Sequence, residues 1–442
     1  MNDRARRRTA WVSAALVGLA ATAFAAKNLR PTWNTPPSLP APSGPREWPA
    51  GAGAVVAADE KELVALLASG PSEIWLADRT YHGDFTVHRA LTLRGTGKSV
   101  LDGSGSGTVL EVEADGVSIE NLVVRDSGQS NTREDAAIKA SGHGVTLRDL
   151  RTEDTLFGIQ LANCKSCIID RVHVAGTKGG ELRGDGIKVW ESDGSIVQSS
   201  LVDGVRDVVV WYSKHVTVKN TVVKKSRYGT HFMYAHDSLA EGNRYLENEV
   251  GIFVMYSNRV RGRENVLAGA RGAAGMGFGF KESETVTLEK NWVVANTTGI
   301  YLDQTPRSPN QEVRFEHNVL ALNDVALRTH GANRGILFRH NDLHGNASVG
   351  EVDGGGDMQR LAFEDNYWSD YAGYDLDHDG RGDVAYEVKR LSGDLTDAHP
   401  QLRFFRGTVA MNLIDAIAEA VPTFSRRKLL TDPVPSFERK HR

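Results

Sequence analysis

His231 and Met233 stand two residues apart in "GTHFMYA" (229–235), and Met255 takes the place of Met233 in "GIFVMYS" (251–257), twenty-two residues on. If both segments are neighbouring strands in register, the three donors share one face, with strands about 4.8 Å apart. Thioether sulfur and imidazole nitrogen suit cuprous copper and are poor ligands for calcium or magnesium. The competing reading is packing, since methionine in a strand commonly fills space. A second soft pair is Cys164 and Cys167 in "NCKSCIID", the only cysteines of the chain. One CxxC without a second pair does not make a zinc site. In an oxidising compartment it reads as a disulfide, and as a copper-ligating thiolate pair only if kept reduced. A hard-cation candidate lies in "DLDHDGRGD", where Asp375, Asp377 and Asp379 precede Gly380 and Asp383 falls at the ninth position. A calcium loop of this kind needs a bidentate Glu at the twelfth position, which here is Tyr386, so the ligand set is incomplete and an Asp-rich turn is the alternative.

The elements that must hold these groups are repetitive. Seven-residue segments begin at Gly158, Gly186, Asp207, Gly229, Gly251, Gly277, Gly299 and Asp324, mostly 21 or 22 residues apart and 25 to 28 where a loop intervenes. A fixed period of this length signals a solenoid. Leucine-rich repeats share the length, but here Ile, Val, Phe and Thr fill the offsets and Gly marks the corner. Within each unit a second run, such as "HVTVKNTVV" or "TVTLEKNWVV", alternates apolar and polar residues and often meets Asn, which tolerates left-handed corners. Short strands repeated in this way predict an all-β fold, a right-handed parallel β-helix. "DEKELVALLASG" has helical spacing and predicts an N-terminal cap over the first coil, whose open edge would otherwise invite aggregation. The expected organisation is a signal peptide or anchor at 1–26, a Pro-rich linker at 27–50, the β-helix at 51–365, and at 366–442 an Asp/Gly-rich loop, a short helix and a basic tail.

Alternation also predicts which side chains leave the core. Ile187 and Val189 point in, so Lys188 and Trp190 point out. The same register gives Val209/Trp211, His231/Met233, Phe253/Met255, Gly279/Lys281 and Tyr301/Asp303 as one outward stripe. Large apolar groups at such positions mark an interaction surface, and Trp190, Trp211, Phe253 and Tyr301 are its expected partner-contacting residues. The alternative is that a loop or the C-terminal segment covers them. Asp185 and Asp207, with Asp203 nearby, are the one candidate carboxylate pair for a carbohydrate-active enzyme. Corner Asp residues, however, are commonly turn formers.

The chain carries 52 basic and 56 acidic residues, a balance that argues against a nucleic-acid partner. "RARRR" followed by an apolar run of about eighteen residues and Ala23-Phe24-Ala25 reads as an export signal or, uncleaved, as an anchor. Either places the body outside the cytoplasm. At the other end "VAMNLIDAIAEAV" has helical spacing and stops at Pro422. The final "FSRRKLLTDPVPSFERKHR", with Arg426 and Arg427, is expected to dock on a membrane protein or an anionic lipid surface.

In order along the chain, "REDAAIKA", "LFGIQLAN", "RGDGIKVW", "RDVVVWYS", "SRYGTHFMYAHD", "VGIFVMYS" and "NYWSDYAGYDLDHDGRGD" resemble the NosD family of periplasmic β-helix proteins associated with nitrous oxide reductase maturation. The resemblance spans about residues 55–435. It implies a non-enzymatic accessory role beside an ABC transporter (permease plus ATPase), with a copper chaperone and nitrous oxide reductase as further partners. It also implies that the C-terminal helix and tail dock on the permease, and that copper is held transiently. The copper assignment carries over to His231, Met233 and Met255, where the motif matches. Cys164 and Cys167 are not part of that family pattern. Two other readings remain at this stage: an extracellular polysaccharide lyase, hydrolase or epimerase, and a surface-binding protein without catalysis.

Overall fold

In the computed structural model, residues 44–441 are described, apart from 178–182, 309, 355, 390–394, 396–398, 406, 407, 409, 412, 415, 416 and 418–427. The expected signal or anchor at 1–26, most of the linker, Arg426 and Arg427 therefore lie outside the described residues, as does much of the expected C-terminal helix.

From Val56 to Trp368 the chain winds through a parallel β-helix. Each coil contributes one short strand to each of three sheets. We call these sheet I (14 strands, beginning Val56–Ala57), sheet II (13 strands, beginning Thr80–His82) and sheet III (12 strands, beginning Phe85–Val87). All pairings between successive coils are parallel and connect sequence neighbours one coil apart. The cause is visible in the sequence: three-residue runs such as Thr217–Lys219 bury only their middle residue, Val218, while both flanking side chains face out. The interior is a column of Val, Ile, Leu and Phe. Phe280, Phe315, Phe338 and Phe363 touch ring to ring down its C-terminal half, the last three in register on sheet I, and Phe363 leads on to Trp368.

The N-terminal cap is helix α1, Glu60–Ser69, which buries Leu63 and Leu67 on the first coil. Asp59 caps it by accepting from the Glu62 amide at 2.8 Å, and Glu62 returns the favour to the Ala58 amide.

The repeated Asn residues do something other than tolerate a left-handed corner. In the ladder the left-handed position belongs to the residue before the Asn: Glu264, Lys290, His317, His340 and Asp365 all have φ near +50°. The Asn that follows turns inward. Asn243, Asn265, Asn291, Asn318, Asn341 and Asn366 form a ladder in which each amide side chain donates to the Oδ1 of the next and to a backbone carbonyl of the preceding coil. Each Oδ1 also accepts from the backbone N–H one coil back. A second ladder, Asn296, Asn323 and Asn346, repeats the device at another corner. Ladder hydrogen bonds made away from water offset the strain of non-glycine left-handed residues, about 1–2 kcal/mol each.

The C-terminal tail requires a correction. Instead of projecting toward another molecule, residues 428–441 fold back on the last coils. Lys428–Asp432 pairs antiparallel with Tyr386–Lys389. Asp432, wholly buried, terminates the Asn ladder by accepting from Asn366 Nδ2 and Trp368 Nε1, both at 3.0 Å. Farther along, the amides of Lys440 and His441 donate to the buried Asp342 carboxylate. The reason is physical. A solenoid end leaves donors without a next coil, and an unsatisfied buried donor costs about 1–3 kcal/mol. The tail supplies the missing acceptor at Asp432 and, through the amides of Lys440 and His441, donors for Asp342.

Candidate functional site

The outward stripe lies on sheet III. Its strands Ile187–Trp190, Asp207–Trp211, Tyr228–Met233, Val250–Met255, Met276–Lys281 and Thr298–Asp303 pair so that two columns run along the stack. One is Lys188, Val209, His231, Phe253, Gly279 and Tyr301, and the other Trp190, Trp211, Met233, Met255, Lys281 and Asp303. The expected register is therefore the one the structure has. The expected exposure is not. Val209, His231 and Phe253 keep only 6%, 8% and 8% of their surface, because the stripe packs on itself and under a third column that alternation alone did not disclose.

That third column is set by a local irregularity. Corner glycines 229, 251, 277 and 299 sit so close to the next coil that a Cβ there would come within 3 Å of its backbone carbonyl. The residues before them, Tyr228, Val250 and Met276, stay aligned with one another along the stack. The Tyr228 ring centres 4.8 Å from the His231 ring and 5.6 Å from that of Phe253. Phe253 in turn leans over Gly279 beside the Met276 sulfur. An added Cβ at Gly279 would lie within 2.6 Å of both.

His231 is the unusual group. Its Nε2 is buried without a hydrogen-bond partner. Desolvation holds its pKa down to about 4, so the imidazole is neutral and its nitrogen is not engaged by the protein. Met233 and Met255 flank it on the outer column, half-buried and adjacent across the coil pairing. A neutral imidazole in the column next to two polarizable thioethers offers donor types that suit a soft ion such as cuprous copper.

Around this cluster the charges are already spoken for. The Asp185 carboxylate accepts two hydrogen bonds from Arg206, at 2.8 and 2.9 Å, and burial pushes its pKa up against that pairing. Asp207 is held in the same two-pronged way by Arg227, whose guanidinium lies over Tyr228. Asp203 pairs with Lys224 at 3.0 Å. The candidate carboxylate pair is thus two separate ion pairs, each carboxylate held by an arginine. Lys188 is bound by both oxygens of Glu134 and stands 5.9 Å over the Trp211 ring.

Beside the outer column, at the left-handed corner, Tyr212, Tyr234 and Tyr256 stack at 4.9 and 5.0 Å, and Trp211 stacks on Tyr212. Tyr212 is half-exposed. Neither this ladder nor Tyr228 and Met276 was singled out from the sequence. The signal was present in the alignment of the residues before each corner glycine and after each outer-column residue.

The cysteines do not belong to the soft cluster, and their candidacy as copper ligands is corrected. Cys164 and Cys167 are joined in a disulfide, fully buried, and pack within the interior core. They face inward because this strand runs on to Lys165 before turning, which carries the pair past the outward columns.

At the C-terminal end Asp375, Asp377 and Asp379 each offer a carboxylate oxygen within 4.8 Å of the others. Asp383 is turned away to accept from the Leu376 amide at 2.7 Å. Tyr386, at the twelfth position, stacks on Trp368 at 4.4 Å and donates to Asp370.

A family model described as "Periplasmic copper-binding protein (NosD)" matches residues 169–373, which contain the whole soft cluster. A Pseudomonas aeruginosa protein, "Probable ABC transporter binding protein NosD", is 28% identical over 409 residues, 84% of this chain and 89% of its own length. A Stutzerimonas stutzeri protein of the same description is 23% identical over 392 residues, covering 77% and 81%. Among solved structures, the catalytic unit of an α-1,3-glucanase from Streptomyces thermodiastaticus has a TM-score of 0.59 at 13% identity, covering 74% of this chain and 71% of that one. The A-module of an Azotobacter vinelandii mannuronan C-5 epimerase scores 0.53 at 13% identity, covering 69% and 93%. At such identities these structures establish the shared β-helix and nothing of the chemistry.

Proposed function

Because this chain belongs to the NosD family, we propose that it is an extracytoplasmic accessory protein that receives cuprous copper on the outward face of sheet III. It passes that copper on during assembly of the copper centres of nitrous oxide reductase. His231, Met233 and Met255 are the ligands. The observation that carries this reading is the buried His231 Nε2, which has no hydrogen-bond partner and stands in the column next to that of Met233 and Met255. A transient carrier needs donors that are ready but few, so that a competing client can take the ion away. Three soft donors on a rigid sheet meet that need.

The partners follow from the same reading. The curated relatives are described as ABC transporter binding proteins. In this chain, strand Tyr386–Lys389 pairs antiparallel with Lys428–Asp432. Between the two strands Phe404, Leu413 and Ile417 are exposed. Phe404, Leu413 and Ile417 are the residues that meet the permease, while Trp190, Trp211 and Tyr301 face the copper chaperone or the reductase; Phe253, buried, packs against the His231 ring. The export signal or anchor within 1–26 places the body in the periplasm.

The test is a cuprous competition titration of the His231→Ala, Met233→Leu, Met255→Leu variant. Affinity falls at least about 100-fold while the unfolding midpoint stays within a few degrees; an unchanged affinity removes the site. The Asp375/Asp377/Asp379 loop is proposed to take calcium. Added calcium then raises the melting temperature by a few degrees, an effect lost in Asp377→Asn, and identical melting with and without calcium discards the idea.

A further inference from the structure

Copper on sheet III was argued from His231, Met233 and Met255, but the same face carries one more soft donor that no alternation pattern assigns. Of the six methionines in the chain, Met233, Met255 and Met276 fall on three consecutive coils of this face. Met276 stands in the column of Tyr228 and Val250, yet its sulfur is folded over Gly279 in the next column, 2.6 Å from where a Cβ would be. Gly279 is the one residue of that column without a side chain, and the vacancy is filled by the thioether and by the edge of Phe253. The Met276 sulfur therefore sits one coil beyond Met255 on the same side of the sheet. Phe253, almost wholly buried, separates it from His231.

We propose that this face has two cuprous stations in series, His231 with Met233 and Met255 with Met276, divided by Phe253 and joined through the adjacent Met233–Met255 pair. The proposal rests on the copper reading above and deepens it: the protein holds two ions and hands copper along the coil axis by thioether exchange. Methionine, unbranched and with three rotatable bonds, suits a donor that must release one ion position and take up another. Lys281, at the place after Met255 in the outer column, pairs with Asp303 and ends the run of soft donors.

The test uses the full chain and cuprous ion delivered from a chromophoric chelator in the absence of oxygen. Wild type takes up two equivalents. Met276→Leu, which keeps the packing volume and removes the donor, takes up one. His231→Ala combined with Met233→Leu also takes up one. A wild type that binds a single equivalent, with Met276→Leu indistinguishable from it, overturns the second station and leaves the first standing. A wild type that binds no copper overturns both. Should Met276→Leu fail to fold, X-ray absorption on the doubly loaded wild type decides. Three thioethers to one imidazole support the two stations, and two thioethers to one imidazole exclude Met276.

Discussion

Sheets I and III are built on the same coils, with the same spacing and the same inward columns of Val, Ile, Leu and Phe, yet their outward faces differ completely. Along sheet I the outer column reads Arg94, Glu120, Arg148, Asp170, Gln198, Lys219, Glu241, Arg263, Glu289, Glu316, Arg339 and Glu364. Neighbours of opposite sign pair across coils, as in Arg94–Glu120 at 3.0 Å and Arg339–Glu316 at 2.7 Å. Such a face is solvated and self-neutralising, and each exposed pair contributes about 0–1 kcal/mol. Along sheet III, from Trp190 to Met255, the equivalent positions hold Trp, Met, Phe and His beside Val209, with charged residues at Lys188, Lys281 and Asp303. The backbone ladder makes no demand on an outward side chain, so the outward composition is free to vary. A face that departs from solvated charge pairs therefore reports on a task other than folding.

The comparison can be broken most severely through the ladder common to all the sheets. Asn291 makes side-chain hydrogen bonds to two coils, all buried. Asn291→Ala should cost about 3 kcal/mol in denaturant unfolding, since it strands partners on both sides. A loss below about 1 kcal/mol would mean that the ladder is decorative.

The sheet III face should next reveal itself through pH. His231 has a folded pKa of about 4 against an ordinary value of 6.5. Between these values the unfolded chain binds a proton that the folded chain refuses, so stability is intact above pH 6.5 and drains away as pH falls toward 4. The full effect is on the order of 3 kcal/mol. His231→Phe should flatten that part of the stability profile, and an unchanged slope in this variant would place the titration elsewhere. The smallest effect belongs to sheet I. Arg339→Ala should change stability by less than about 1 kcal/mol and leave cuprous affinity as it was; a copper defect there would dissolve the contrast between the faces.

Much of this was legible without coordinates. The 21- to 22-residue period and the alternation within each unit specified the β-helix, and they assigned His231, Met233 and Met255 to one outward face in the register observed. They also marked α1 as a cap. Other features were hidden because their causes are not local. That His231 is dry follows from Tyr228 and Phe253 closing over it, one from the same strand and one from the next coil. That Asp185 and Asp207 are each held in a separate ion pair follows from Arg206 and Arg227, each a full coil away. The tail was misread because a basic, partly apolar terminus looks the same whether its partner is a membrane protein or the chain's own open end.

Sequence alone therefore determined the repeat, the inward and outward columns and the donors within them. These depend on period-two alternation and on a fixed distance between coils, both of which are properties of a short stretch of chain. The tertiary structure decided which outward groups are desolvated, which charges are paired, where the Met276 sulfur lies and what the terminus covers. Those outcomes depend on contacts between residues twenty to a hundred positions apart, where a coil's neighbours, rather than its own pattern, set the surroundings of each side chain.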